Sequence, residues 1–335
     1  MIGDMSSADG APPSGAPTRR AVLRGTALAG AAAATALVGG CGIRLEDDAL
    51  SIPLLQRKST ADEATLITTY HSLTSLSQMA RRITPPTAVV TELADLHRTQ
   101  ADVVHGVLSR AGVPDHVIAF GAGAPAPSGA ATPSVAVSAP PAATVALLAA
   151  AEAEAVSATA MAAVAGSTAA HRPLLTAIAA QHGFVVGPLG GDVTWPAGDP
   201  LPPPAAAGLL DASRSVAYAF EVVAAQLDPA ARPSALATLT TVRARVAELT
   251  TMAGSAAVPD PLGYALPFAV TSPEFARKLA TVVLTQLVAR GLDPVPSIAA
   301  ASSAVSTVAR LQAQAQTLGH GWGVAMVPFP GLTYP

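Results

Sequence analysis

Residues 86–112 read PTAVVTELADLHRTQADVVHGVLSRAG, and this stretch decides the fold. Placed on a helix at 100° per residue with Glu92 at 0°, Val89, Leu93, Leu96, Val103, Val104 and Val107 fall between about 20° and 120°. Asp95, Asp102 and His105 fall on the other side, at about 300°, 280° and 220°. One apolar stripe and one wet face make an amphipathic helix. Working outward, segments of the same kind cover approximately 60–82, 143–166, 169–184, 206–227, 231–254, 273–291 and 296–318, separated by Pro- and Gly-rich breaks. No run of β-branched residues is long enough for several buried strands. The sequence therefore predicts an all-α protein.

Composition narrows the function classes. Half of the 335 residues are hydrophobic, but only 4% are aromatic and 12% charged, against roughly 25% charged in an ordinary soluble domain. Such a chain is neither a charge-rich disordered tail nor, at a net charge of −3, a nucleic-acid binder. Its single cysteine allows no disulfide and no Cys-cluster zinc or iron–sulfur site.

Eight helical segments suggest two four-helix bundles, 60–186 and 206–335, joined by a Pro/Gly linker over 187–205. Residues 187–204 (GPLGGDVTWPAGDPLPPP) and the low-complexity stretch 121–141 have loop composition. Connection lengths repeat between the halves. Thr84-Pro85-Pro86 and Asp228-Pro229 make tight joins, while Val113-Pro114-Asp115 and Val258-Pro259-Asp260, 145 residues apart, open long loops. Duplication accounts for this order.

The N-terminus reads as an address. Thr18-Arg19-Arg20-Ala21-Val22-Leu23-Arg24 resembles a twin-arginine export signal, with Arg19, Arg20 and Leu23 as its recognition residues. The uncharged stretch 25–38 suits a signal core and is shorter than the ~20 residues of a membrane span. Val38-Gly39-Gly40-Cys41 resembles a bacterial lipobox, which implies cleavage of residues 1–40, acylation of Cys41 and a tether over 41–59. The partners implied are the twin-arginine translocase, the lipoprotein-processing enzymes and the lipid bilayer. The implied location is the extracytoplasmic face of the cell membrane.

In the C-terminal half, Tyr264–Pro273 (YALPFAVTSP) and residues 322–332 (WGVAMVPFPGL) resemble a ferritin-like domain family of unknown function found in twin-arginine-exported lipoproteins of high-GC Gram-positive bacteria. The resemblance covers about 206–335 and implies a four-helix bundle. It also implies a Glu-His pair about five residues before a tyrosine. Here Ser213 and Arg214 precede Tyr218, a departure that tells against a carboxylate metal site in the second half.

A di-iron bundle needs Glu-x-x-His pairs, whose i, i+3 spacing turns carboxylate and imidazole inward together. None of the eight glutamates has a histidine three residues on. Asp102 and His105 have the spacing but face solvent. His97, at about 140°, and Gln100, at about 80°, lie on or beside the apolar stripe. Glu152 is flanked by Val145, Leu148 and Val156, and His171 and His182 share a face with Leu174, Leu175 and Ile178. Four titratable groups, His97, Glu152, His171 and His182, thus point toward one core. Two readings follow: a structural polar layer, or a mononuclear iron, manganese or zinc site made by His97, Glu152 and His182. At the level of function, the leading expectation is a non-enzymatic binding or scaffold module of the cell envelope without catalytic residues or cofactor. The alternative is a divergent ferritin-like metal-binding protein or oxidoreductase.

Overall fold

The helical reading is realised throughout the computed structural model, which describes residues 57–120 and 142–333. Arg19, Arg20, Leu23, Cys41 and the stretch 121–141 lie outside the described residues. The helices are α1 (Glu63–Arg82), α2 (Ala88–Arg110), α3 (Asp115–Phe120), α4 (Val145–Glu154), α5 (Ala158–Gly166), α6 (Arg172–Val185), α7 (Pro203–Gln226), α8 (Arg232–Ala253), α9 (Pro273–Arg290) and α10 (Ala304–Gly321). Among the described residues there is no strand.

Local chemistry explains the boundaries. Thr87, Thr144, Ser157 and Ser272 cap α2, α4, α5 and α9, each side-chain oxygen accepting a backbone N–H three residues on. The Ser157 cap breaks the segment expected as one helix over 143–166 into α4 and α5. A second device recurs at two helix joins. In α6 and in α8 an Arg-Pro pair opens the helix, and its guanidinium donates back to a carbonyl five residues earlier. Arg172 Nη2 reaches Ser167 O at 2.7 Å, and Arg232 Nη2 reaches Leu227 O at 3.2 Å. These bonds satisfy carbonyls at the end of the preceding helix.

Residues Leu174 to Val186 are all buried, so α6 runs as a central helix. Its main partner is α10, equally enclosed from Ala304 to Ala309. Ala177, Ala179 and Ala180 on one helix and Ala304, Ala309 and Ala313 on the other are buried. Small side chains let two backbones pack closely with dense contact.

The expected linker is not a free spacer. Residues Lys58–Pro335 form one compact unit, and 187–205 runs within it. Asp199 N–H donates to Ser303 Oγ at 3.0 Å, and Thr307 Oγ1 donates to Asp199 O at 2.9 Å. Trp195 lies against α6 where Gly183 has no side chain; a Cβ there would stand 2.1 Å from the indole. A single apolar cluster includes Leu66 and Val104 from one side of this segment and Leu209 and Val308 from the other. Arg172 Nη1 also crosses over, donating to Ile298 O at 2.9 Å.

Among the described residues, no single helix is long and apolar enough to cross a membrane. The pair α4 and α5 passes that test only together, across a 46° bend. Leu148, Val156, Met161 and Val164 of this stretch are buried against the rest of the protein.

Candidate metal centre and adjoining cleft

Three helices bring His97, Glu152 and His182 together. His97 projects from α2, Glu152 from α4 and His182 from α6, at 0%, 0% and 4% exposure. His97 Nε2 lies 2.7 Å from Glu152 Oε1, and His182 Nδ1 lies 2.5 Å from Glu152 Oε2. The two imidazoles stack with ring centroids 5.6 Å apart. One donor atom from each residue can be chosen so that all three lie within 4.8 Å of one another.

Proton positions follow from the partners. The Pro328 carbonyl can only accept, so the Gln100 Nε2 that reaches it at 2.6 Å is the donor. The Gln100 Oε1 then faces His97 Nδ1 at 3.1 Å and accepts its proton. Burial pushes the Glu152 carboxyl up, but the charges and hydrogen bonds of His97 and His182 prevail and bring it down to about 2. For His97, burial favours the neutral ring, yet Glu152 and Gln100 outweigh it and raise the pKa. His97 therefore carries both ring protons beside an ionised Glu152, and His182 donates through Nδ1.

His182 also lines a cleft of about 290 Å³ between α1, α5 and α6. Thr68 and Ser72 form one wall, Ala160 and Ala163 the other, and Leu175, Ile178 and His182 the floor. Among the described residues, His182 Nε2 has no hydrogen-bond partner.

His171, expected in the same core, is elsewhere. Its Nδ1 pairs with Asp62 Oδ2 at 2.9 Å near the surface, because it precedes α6 and turns back toward the start of α1. Thr168 joins them, donating its backbone N–H to Asp62 at 2.9 Å. Asp102 and His105 stay on the wet face, where His105 lies 3.4 Å from Ser109 Oγ. Gln100 joins the network instead, bonded to His97 and to Pro328 O. Its inward position was visible in the helical pattern, but the Pro328 carbonyl stands 228 positions away and left no local signal.

In the second half, Ser213 is buried and accepts from Arg245 Nε at 3.1 Å. Arg245 Nη1 donates to Leu311 O at 2.6 Å, while its Nη2 is buried without a partner. Burial, with a further contribution from Arg310 and opposition from Glu248, lowers the Arg245 pKa to about 10. A buried cation stands here, not a set of acidic metal ligands. Asp211 and Arg214, a helix pair by spacing, turn to different partners: Tyr264 donates to Asp211, and Arg214 donates to Val258 O.

No family model matches the chain, and no curated protein and no solved structure matches it either.

Proposed function

We propose that the chain is an exported, lipid-anchored protein of the cell envelope that acts as a non-enzymatic binding module, built from two tandem ferritin-like four-helix bundles. Arg19, Arg20 and Leu23 direct it to the twin-arginine translocase. Processing enzymes then acylate Cys41, and the folded part stands on the extracytoplasmic face of the membrane. Each acyl chain contributes about 0.8 kcal/mol per buried CH₂, and two or more chains on one residue anchor stably.

The observation that carries the binding role is the cleft over α6. Its volume of about 290 Å³ sits at the small end of ligand pockets, roughly 300–1,000 Å³. Apolar α5 and α6 faces, with the α1 hydroxyls of Thr68 and Ser72 opposite and His182 at the floor, suit an acyl chain ending in a hydrogen-bonding head. The experiment is a titration of the purified protein with a dansyl-labelled fatty acid. Saturable fluorescence enhancement that Ala163→Trp abolishes, by filling the cleft, supports the reading. No enhancement, or enhancement indifferent to Ala163→Trp, overturns it. The anchor is tested separately, since Cys41→Ser should move the exported protein from the membrane to the soluble fraction.

A further inference from the structure

We infer that His97, Glu152 and His182 bind one divalent transition-metal ion of the zinc, iron(II) or manganese(II) class, in a closed site between α2, α4 and α6. The inference stands on the core of the first half and does not rest on the anchor or on occupation of the cleft, with which it shares His182.

The first support is the donor set. Two imidazoles and one carboxylate from three helices, with donor atoms within 4.8 Å, match first-row metals; magnesium and calcium favour all-oxygen shells. Nothing else among the described residues gathers three such groups.

The second support is the surrounding shell. A metal-bound imidazole characteristically donates its other ring N–H to a fixed acceptor, which sets the tautomer and aims the remaining nitrogen at the ion. His97 meets this condition. Its Nδ1 proton is held by Gln100 Oε1, Gln100 is locked in turn by Pro328 O, and Nε2 is left facing Glu152. That nitrogen lies 2.7 Å from Glu152 Oε1, so the two donor atoms already face one point. A metal ion that enters there takes the place of the proton they share.

The third support is scale. Bonds of 2.0–2.1 Å in a tetrahedral shell place neighbouring donors about 3.3 Å apart. The nitrogens lie 2.7 and 2.5 Å from the carboxylate oxygens and the three donors within 4.8 Å of one another, so shifts on the order of 1 Å bring them to this spacing. The end of α4 at Glu154, just beyond Glu152, places the moving carboxylate near a helix terminus.

The test uses the full chain, purified without a polyhistidine tag and stripped with chelator. Zn²⁺ is titrated by calorimetry, Co²⁺ is followed by its visible absorption as a spectroscopic stand-in, and melting is recorded with Zn²⁺, Fe²⁺ and Mn²⁺. One equivalent should bind with a Kd in the micromolar range or below, raising Tm. Glu152→Gln and His182→Asn should abolish saturable binding while circular dichroism shows them folded. His105→Ala, on the surface, should leave it unchanged. Should the ligand variants fail to fold, Gln100→Leu decides, with an expected loss of about 10- to 100-fold in affinity through His97 alone. Absence of stoichiometric binding for all three ions overturns the inference, as does binding that Gln100→Leu and every folded ligand variant leave intact.

Discussion

Glu152 meets the Nδ1 edge of His182 at 2.5 Å, although the two stand 30 positions apart on different helices. With His97 on its other oxygen, the carboxylate has both acceptor sites engaged by imidazoles and no access to solvent. Such a group is costly to disturb from one side. In metal-free protein, Glu152→Gln should lower stability by about 3–5 kcal/mol, since it leaves a buried imidazolium without its counter-charge. Replacing all three residues by leucine should cost far less than that, because desolvation of the charges disappears with them. Chemical denaturation of both variants in chelator checks the ordering.

The Asp62 contact makes a pH prediction. Burial pushes this carboxyl up, but hydrogen bonds from Thr168 and His171 outweigh it, and its pKa in the folded protein is lowered from 3.8. A depressed carboxylate pKa contributes stability that is present above the unfolded value and lost as pH falls through the folded one. Asp62→Asn should therefore destabilise at pH 7 by about 1–2 kcal/mol. The difference from the parent protein should shrink steadily below pH 4. Thermal melts of the pair across that range are the measurement.

Gly183→Ala tests the seating of the segment between the halves. The added methyl would stand 2.1 Å from the Trp195 ring, so either the indole leaves α6 or the helix shifts. A loss of about 1–3 kcal/mol is expected from overpacking. A red-shifted tryptophan emission should accompany it as the ring meets water. Gly208→Ala, with nothing within 4 Å of the new methyl, serves as the control.

Arg245 carries the opposite expectation. Its Nη2 is buried without a partner, and the removal of a buried charge in favour of an apolar chain of similar length is often neutral or stabilising. Arg245→Met should hold or raise Tm. Arg245→Ala should lower stability by about 2–5 kcal/mol, since it leaves a cavity among Ser213, Leu311 and their neighbours.

Much of this architecture was legible in the chain because it is written at short range. The stripe through Val89, Leu93 and Leu96 predicted α2, and the same stripe put His97 and Gln100 inward. Pro and Gly marked the breaks. What escaped were features set by one local competitor or by distant contact. Ser157 captured the N–H of Ala160 and divided a helix that alanine propensity alone would have continued. His171 has the right helical phase but lies at the N-cap of α6, where the chain already bends toward Asp62. Residues 187–205 have linker composition, yet Gly183 and Gly198 are the bare spots that let Trp195 and the Asp199 turn sit on α6 and α10. Composition records what a segment is made of, and only tertiary contact decides whether it is docked.

The bond from Gln100 to Pro328 O has a consequence for the order in which the molecule is made. His97, Glu152 and His182 leave the ribosome well before the residue that fixes Gln100, which stands 228 positions beyond it. The three side chains can gather during synthesis, but their outer support arrives only once Pro328 has been made. A chain truncated after Met326 keeps every helix of the described residues and loses the clamp. Closure of the Gln100 clamp is thus an event that follows the making of α10.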